Sequence, residues 1–182
     1  MKPTTLLIGT TILIATATGL HAQGCCSASS GATGHAGHGQ ATASAPAKTT
    51  LPKLDLKGVA KPVFENYLAA QASLASDSLA KISASASALA LAVREDTAKS
   101  FPADVATQAE ALAKAKDLAA ARKAFQPLSE SLIRYAKTGN IPAGTLYEVY
   151  CPMAKAGWLQ ADKTVRNPYF GQAMLDCGQI KG

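Results

Sequence analysis

The chain has 182 residues and a formal net charge of +6, part of it from Lys2 near the start. Lys and Arg are interleaved with Asp and Glu, and aromatic residues make up only 5%, so no basic stripe with stacking platforms exists and nucleic-acid binding has no support. Without an export leader about 160 residues remain, room for one domain with its own core.

Residues 1–22 read as a signal peptide. Lys2 gives the charged start, Leu6 to Leu20 the short apolar run, and Leu20-His21-Ala22 a peptidase site. The run is too short and too rich in Thr and Gly for a membrane span, and no transmembrane segment is expected after it. Such a leader places the protein in a bacterial periplasm or beyond, where disulfides are permitted. A second reading takes Ala22-Gln23-Gly24-Cys25 as a degenerate lipoprotein signal, with Cys25 acylated as an anchor.

Residues 23–56 are expected to form a tether. Up to residue 50 they are mostly Gly, Ser, Ala, Thr and Gln, with too little apolar surface to offset the entropy of ordering. The tether carries Cys25, Cys26, His35 and His38, a set able to catch metal loosely. The plainer reading is an ordinary linker whose vicinal cysteines are lipidated or capped by oxidation.

Residues 57–182 are expected to be one helical domain, with a bundle over 57–139 and a distinct segment over 140–182. Val63, Phe64, Tyr67, Leu68 and Gln71 put an apolar face on a first helix. Asp77 is placed to cap a second, where Leu79, Ile82, Ala86, Leu89 and Val93 recur at steps of three and four. Ser83, Ser85 and Ser87 lower its propensity, so packing must hold it. Pro102 suits the first turn of a third helix bearing Val105, Ala109 and Leu112. Asp117 can cap a fourth, with Leu118, Ala121, Phe125, Leu128 and Leu132 on one side, Pro127 as a kink and Gly139 as its C-cap. The fold class is therefore mainly α, an up-and-down antiparallel four-helix bundle.

After Gly139 the composition changes. Residues 140–182 hold the only Trp, three of the five Tyr, and Cys151 and Cys177. Tyr147 to Cys151 and Trp158-Leu159 suit short extended pieces, and Tyr169 to Cys177 has room for a helical turn or two. This irregular, aromatic segment is expected to pack against the helix ends.

The available chemistry is narrow. Of three histidines, His21 lies in the leader and His35 and His38 in the tether, so the domain has none. A Ser-His-Asp or Cys-His nucleophile, His-based zinc catalysis and haem attachment through Cys-x-x-Cys-His are all excluded there. Gly-rich phosphate loops are missing. No enzyme is expected.

Sulfur remains. Past Met1, the chain's methionines are Met153, in Cys151-Pro152-Met153, and Met174, in Met174-Leu175-Asp176-Cys177. Core filler would have no reason to shadow the domain's two cysteines. Thiolate with thioether is the soft ligand type that selects Cu(I), so Cys151, Met153, Met174 and Cys177 are the candidate site for Cu(I) or another soft metal ion. The competing reading is a Cys151–Cys177 disulfide, worth roughly 3–4 kcal/mol by chain entropy, with the methionines packed around it. Spacing alone leaves both open.

The wording of the segment adds a resemblance. Tyr150-Cys151-Pro152-Met153-Ala154, Trp158-Leu159, Asn167-Pro168-Tyr169-Phe170-Gly171 and Met174-Leu175-Asp176-Cys177-Gly178 resemble a bacterial periplasmic family, domain of unknown function 3347. Phe125 to Glu130 and Asn66 to Ala69 are similar to its helical half, so the likeness spans residues 57–181. Members occur alone or fused to the adaptor subunits of copper and silver efflux pumps. The resemblance thus implies metal handling without catalysis, an efflux adaptor as partner, and Cys151, Met153, Met174 and Cys177 as functional positions. One departure is the short stretch between Ala154 and Trp158, where many relatives insert a polar loop. The reading that results is a periplasmic copper-binding protein serving metal tolerance or efflux. Its alternative is a disulfide-stapled, non-catalytic module docking on an adaptor or envelope partner.

Overall fold

The apolar stripes close into four helices, α1 (Ala60–Ala75), α2 (Ile82–Arg94), α3 (Ala103–Ala113) and α4 (Leu118–Tyr135), each packed on the next in a bundle. They belong to a computed structural model that describes residues 54–182. The leader and the tether positions Cys25, Cys26, His35 and His38 lie outside the described residues. Val63, Phe64, Tyr67, Leu68 and Gln71 are buried on α1, as are Ile82, Ala86, Leu89 and Val93 on α2. Val105, Ala109 and Leu112 on α3 and Ala121, Phe125, Leu128 and Leu132 on α4 are likewise buried, and the two helices pack together. Small residues at these contacts keep the core thin, because interhelix spacing follows the side chains between the axes.

The helix ends show where local signals win and where they lose. Asp117 caps α4 as its position predicts, its Oδ1 accepting the Ala120 N–H at 2.7 Å. Pro102 directly precedes α3 with φ −57°, preset for a helical start. Asp77 does not cap α2, which begins only at Ile82. Its carboxylate is taken by Arg122 of α4 and by the Gln172 N–H at 2.9 Å, and these tertiary partners outcompete a local cap. Leu79 accordingly sits in the turn, 39% exposed, instead of opening the α2 stripe. Gly139 lies inside a π-helical turn, Ala136–Asn140, that continues α4, and α4 itself runs through Pro127 as a single helix.

The last segment is more regular than its composition predicts. It forms a three-stranded antiparallel sheet, β1 (Tyr147–Cys151), β2 (Ala156–Gln160) and β3 (Gln179–Ile180), in the order β2-β1-β3. β2 lies along α4 and touches α1, so the segment covers a side of the bundle and not only its ends. Val149 and Trp158, opposite each other in the β1–β2 register, are both fully buried. Among the described residues no helix is long and apolar enough to cross a membrane.

One side chain fixes the seat of that sheet. The Tyr67 hydroxyl, buried on α1, shares a hydrogen bond with the Ser129 hydroxyl of α4 and accepts the Leu159 N–H of β2 at 3.0 Å. Its ring stacks on Phe125 at 5.1 Å. Trp158 and Tyr169 extend the aromatic layer, their centroids 6.0 Å apart, and the Tyr169 hydroxyl donates to the Gly157 carbonyl at 2.7 Å. Burial pushes the Tyr67 phenol well above the ordinary 10.0, against the lowering effect of its hydrogen bonds to Ser129 and Leu159.

Replacing Tyr67 by Phe keeps the ring but leaves the Leu159 N–H without its partner, at an expected cost of about 1–3 kcal/mol in urea denaturation. Because the folded pKa is raised, the phenol's share of stability is complete below pH 10.0 and is lost as pH rises from there towards the folded value. The wild type should therefore weaken in alkali more steeply than Tyr67→Phe. An unchanged urea midpoint, or equal alkaline slopes, would contradict the seating role.

Candidate functional site

Strand register brings the two thiols together. Cys151 ends β1, and β3 returns alongside β1 with Tyr150 opposite Gln179 and Val149 opposite Ile180. Extending that ladder by one residue places Gly178 beside Cys151, so Cys177 arrives at the end of β1. The sulfurs stand 3.0 Å apart as free thiols, Cys151 fully buried and Cys177 partly exposed.

Two turns hold them. After Cys151 the chain reverses through Pro152-Met153-Ala154-Lys155, with Lys155 at φ +51° and its N–H bonded to the Pro152 carbonyl at 3.3 Å. This fold aims the Ala154 N–H at the Cys151 sulfur, 3.4 Å away. Before Cys177 the chain makes one 3-10 turn, Gly171–Met174, and the Cys177 N–H bonds the Met174 carbonyl at 3.1 Å. Both methionines thus sit in the turns that carry the thiols. Met153 is 64% exposed, Met174 is half-buried, and neither belongs to the hydrophobic core.

Asn167 organises the second turn from inside. Fully buried, it donates through Nδ2 to the Cys177 carbonyl at 2.7 Å, and its own N–H bonds the Leu175 carbonyl at 2.7 Å. Its Oδ1 accepts the Tyr169 N–H at 2.8 Å and the Phe170 N–H at 3.3 Å. The loop 167–177 is thereby closed on one amide. Gln160 does similar service for the preceding loop, its Oε1 accepting from the Trp158 indole at 3.1 Å and its Nε2 donating to the Asp162 and Thr164 carbonyls.

The 3-10 turn is then clamped to the bundle. Asp77 and Arg122 form an ion pair beneath Gly171, and Arg122 also donates to the Pro168 carbonyl at 3.1 Å. Gly171 has φ +57°, and a Cβ there would overlap the Asp77 carboxylate. Gly178 is needed for a different reason: a Cβ would lie 2.7 Å from the Trp158 ring and 2.8 Å from Val149. Sequence reasoning missed Tyr67–Ser129, Asn167 and Arg122–Asp77. Ser129, a polar residue four after Phe125 on an apolar stripe, was the available signal for the first, and Asn167-Pro168 as a turn initiator for the second.

The pair is electrostatically unequal. Burial pushes the Cys151 thiol up, but hydrogen bonds from Cys177, the Ala154 and Met153 amides and Asn167 outweigh it, and its pKa falls below the ordinary 9.0. Cys177 is raised, first by its hydrogen bond to Cys151, then by desolvation and the nearby Cys151 and Asp176 charges. Of the two thiols, Cys151 is therefore the one that ionises first. Among the described residues no three His, Cys, Asp or Glu side chains converge, so an ion here has two thiols and whatever thioether joins them. The donor types fit a soft ion. Since metal–sulfur bonds are about 2.3 Å long, thiolates on opposite sides of one ion would span more than the present 3.0 Å, so the sulfurs must part to admit it.

Comparison with known proteins adds one family. The model of the family "Protein of unknown function (DUF3347)" matches residues 63–144, so the resemblance stands on the helices. The match ends before β1 and includes none of the four sulfur residues. No curated protein and no solved structure matches the chain.

In the reduced, metal-free protein carrying Cys25→Ser and Cys26→Ser, ultraviolet thiolate absorbance should rise in two separate steps, one below and one above the ordinary 9.0. Asn167→Ala should move the lower step upward. A single combined step at the ordinary value would show that the sulfurs do not share a proton.

Proposed function

We propose that the protein is a periplasmic soft-metal-binding protein, with Cu(I) as its ion, serving copper tolerance or efflux. One observation carries the reading: Cys151 and Cys177 meet as free thiols, and the two turns presenting them hold Met153 and Met174 outside the core. Cys151 and Cys177 would hold the ion, with Met153 and Met174 as thioether donors. Hydrogen bonds from Cys177 and from the amides of Ala154 and Met153 favour the ionised form of Cys151, which lowers the proton competition that every thiolate site faces. Soft, low-coordinate ligation favours Cu(I) over zinc, which takes four Cys or His ligands in structural sites. The ion is cargo, and no reaction step is assigned to it.

The leader would deliver the protein to the periplasm, with Cys25 as a lipid anchor in one version. Cys25, Cys26, His35 and His38 would then pass metal to the domain. The family resemblance suggests the adaptor subunit of a copper or silver efflux pump as recipient. A second reading is favoured by the 3.0 Å sulfur separation: in an oxidising compartment the pair closes as a staple, and the domain is a non-catalytic docking module. Free-thiol counting on protein taken from the periplasm separates the two.

The direct test uses the reduced full chain carrying Cys25→Ser and Cys26→Ser, titrated with Cu(I) against a competing chelator. One tightly held Cu(I) per chain is expected, abolished in Cys151→Ser/Cys177→Ser. Met153→Leu/Met174→Leu should weaken binding about tenfold or more, equivalent to roughly 1.4 kcal/mol. Failure to compete for Cu(I) sinks the metal reading, and an unchanged affinity in the methionine double variant removes the thioethers from it.

A further inference from the structure

The two sulfurs differ in access, and thiol–disulfide exchange is a displacement with strict directionality. The attacking sulfur must approach along the extension of the S–S bond, opposite the sulfur that leaves. Cys151 is fully buried at the end of the central strand, with the ring of Trp158 and the side chain of Val149 packed nearby against Gly178. Approach behind Cys151 would pass through protein. Cys177 is partly exposed on the turn that follows Met174, so it is the sulfur of the pair with a route to solvent.

We propose that Cys151 and Cys177 form a reversible dithiol–disulfide couple with low-molecular-weight thiols, in which Cys177 alone exchanges with the outside and Cys151 is the internal resolving sulfur. Closing the bond from the present 3.0 Å to the covalent length of about 2.05 Å takes a shift of roughly 1 Å. In the reductive direction an external thiolate attacks the Cys177 sulfur and forms a mixed disulfide there. The Cys151–Cys177 bond breaks, and its electron pair leaves on Cys151, which faces the Ala154 N–H. A second external thiolate attacks the outer sulfur of the mixed disulfide and releases Cys177 as a thiolate, which takes up a proton. Two small thiols are oxidised to one small disulfide, and the protein disulfide is reduced to a dithiol. The reverse sequence, driven by the small disulfide, oxidises the pair. The couple needs no metal, so it holds or falls independently of the Cu(I) reading.

The test uses the full chain with Cys25→Ser and Cys26→Ser, in the presence of a metal chelator. The protein is oxidised with oxidised glutathione, reacted briefly with glutathione, acid-quenched and mapped by peptide mass. Every trapped glutathione adduct should lie on Cys177. In single-cysteine variants, Cys151→Ser should take up glutathione from oxidised glutathione at least about tenfold faster than Cys177→Ser, because only the accessible sulfur reacts. Adducts on Cys151, equal rates, or no bridge formed under oxidised glutathione would overturn the proposal. If Cys151→Ser does not fold, adduct mapping in the intact pair still decides.

Discussion

A sheet only three strands wide, with one strand two residues long, cannot stand alone in water, so everything at its ends depends on how it is seated. Here the seat is the Tyr67 hydroxyl. From α1 it reaches Ser129 on α4 and the Leu159 amide on β2, joining three elements at one buried oxygen. Apolar packing alone would let β2 slide along the smooth, alanine-rich bundle. A hydrogen bond to one backbone amide does not tolerate sliding, since a shift of one residue turns every side chain to the other face. The register of β2 fixes β1, and β1 carries Cys151.

The other half of the site is held by different means. Cys177 hangs on a loop whose regular structure is a single 3-10 turn, and ordering such a loop costs entropy that one short turn does not offset. Buried polar groups supply the order instead. Asn167 closes the loop from within, and the Asp77–Arg122 pair grips it from the bundle side. That pair is partly exposed and by itself adds little stability. Its value is positional, because Arg122 also holds the Pro168 carbonyl and Asp77 the Gln172 amide. The two thiols are therefore presented by elements of unequal stiffness, a paired strand and a pinned loop.

How much of this could be read from the chain differs by element. The helical stripes were legible because burial on one side of a helix imposes a period that residues such as Phe125, Leu128 and Leu132 display directly. The Asp117 cap was legible because it is local. Asp77 was misread for the complementary reason: a residue that suits a cap was taken by Arg122, 45 positions away, and no short window shows that. The sheet was half visible, since β1 alternates only loosely and β3 is too short to leave a pattern. Within the site, the cysteines and methionines announced themselves by spacing. The residues that orient them, Asn167 and Tyr67, did not, because their role is set by partners distant in sequence. The family likeness held where the helices are and stops short of the thiols, so the site rests on its own geometry.

Gly178 carries a last consequence. It has no side chain because the indole of Trp158 occupies that space, and it is the residue next to Cys177. The chain's only tryptophan is fully buried and lies against the backbone of the loop that carries Cys177. Whatever displaces that loop must also change the surroundings of the indole. The domain thus contains a built-in optical reporter: intrinsic fluorescence, excited at a single ring, registers any displacement of that loop without a label.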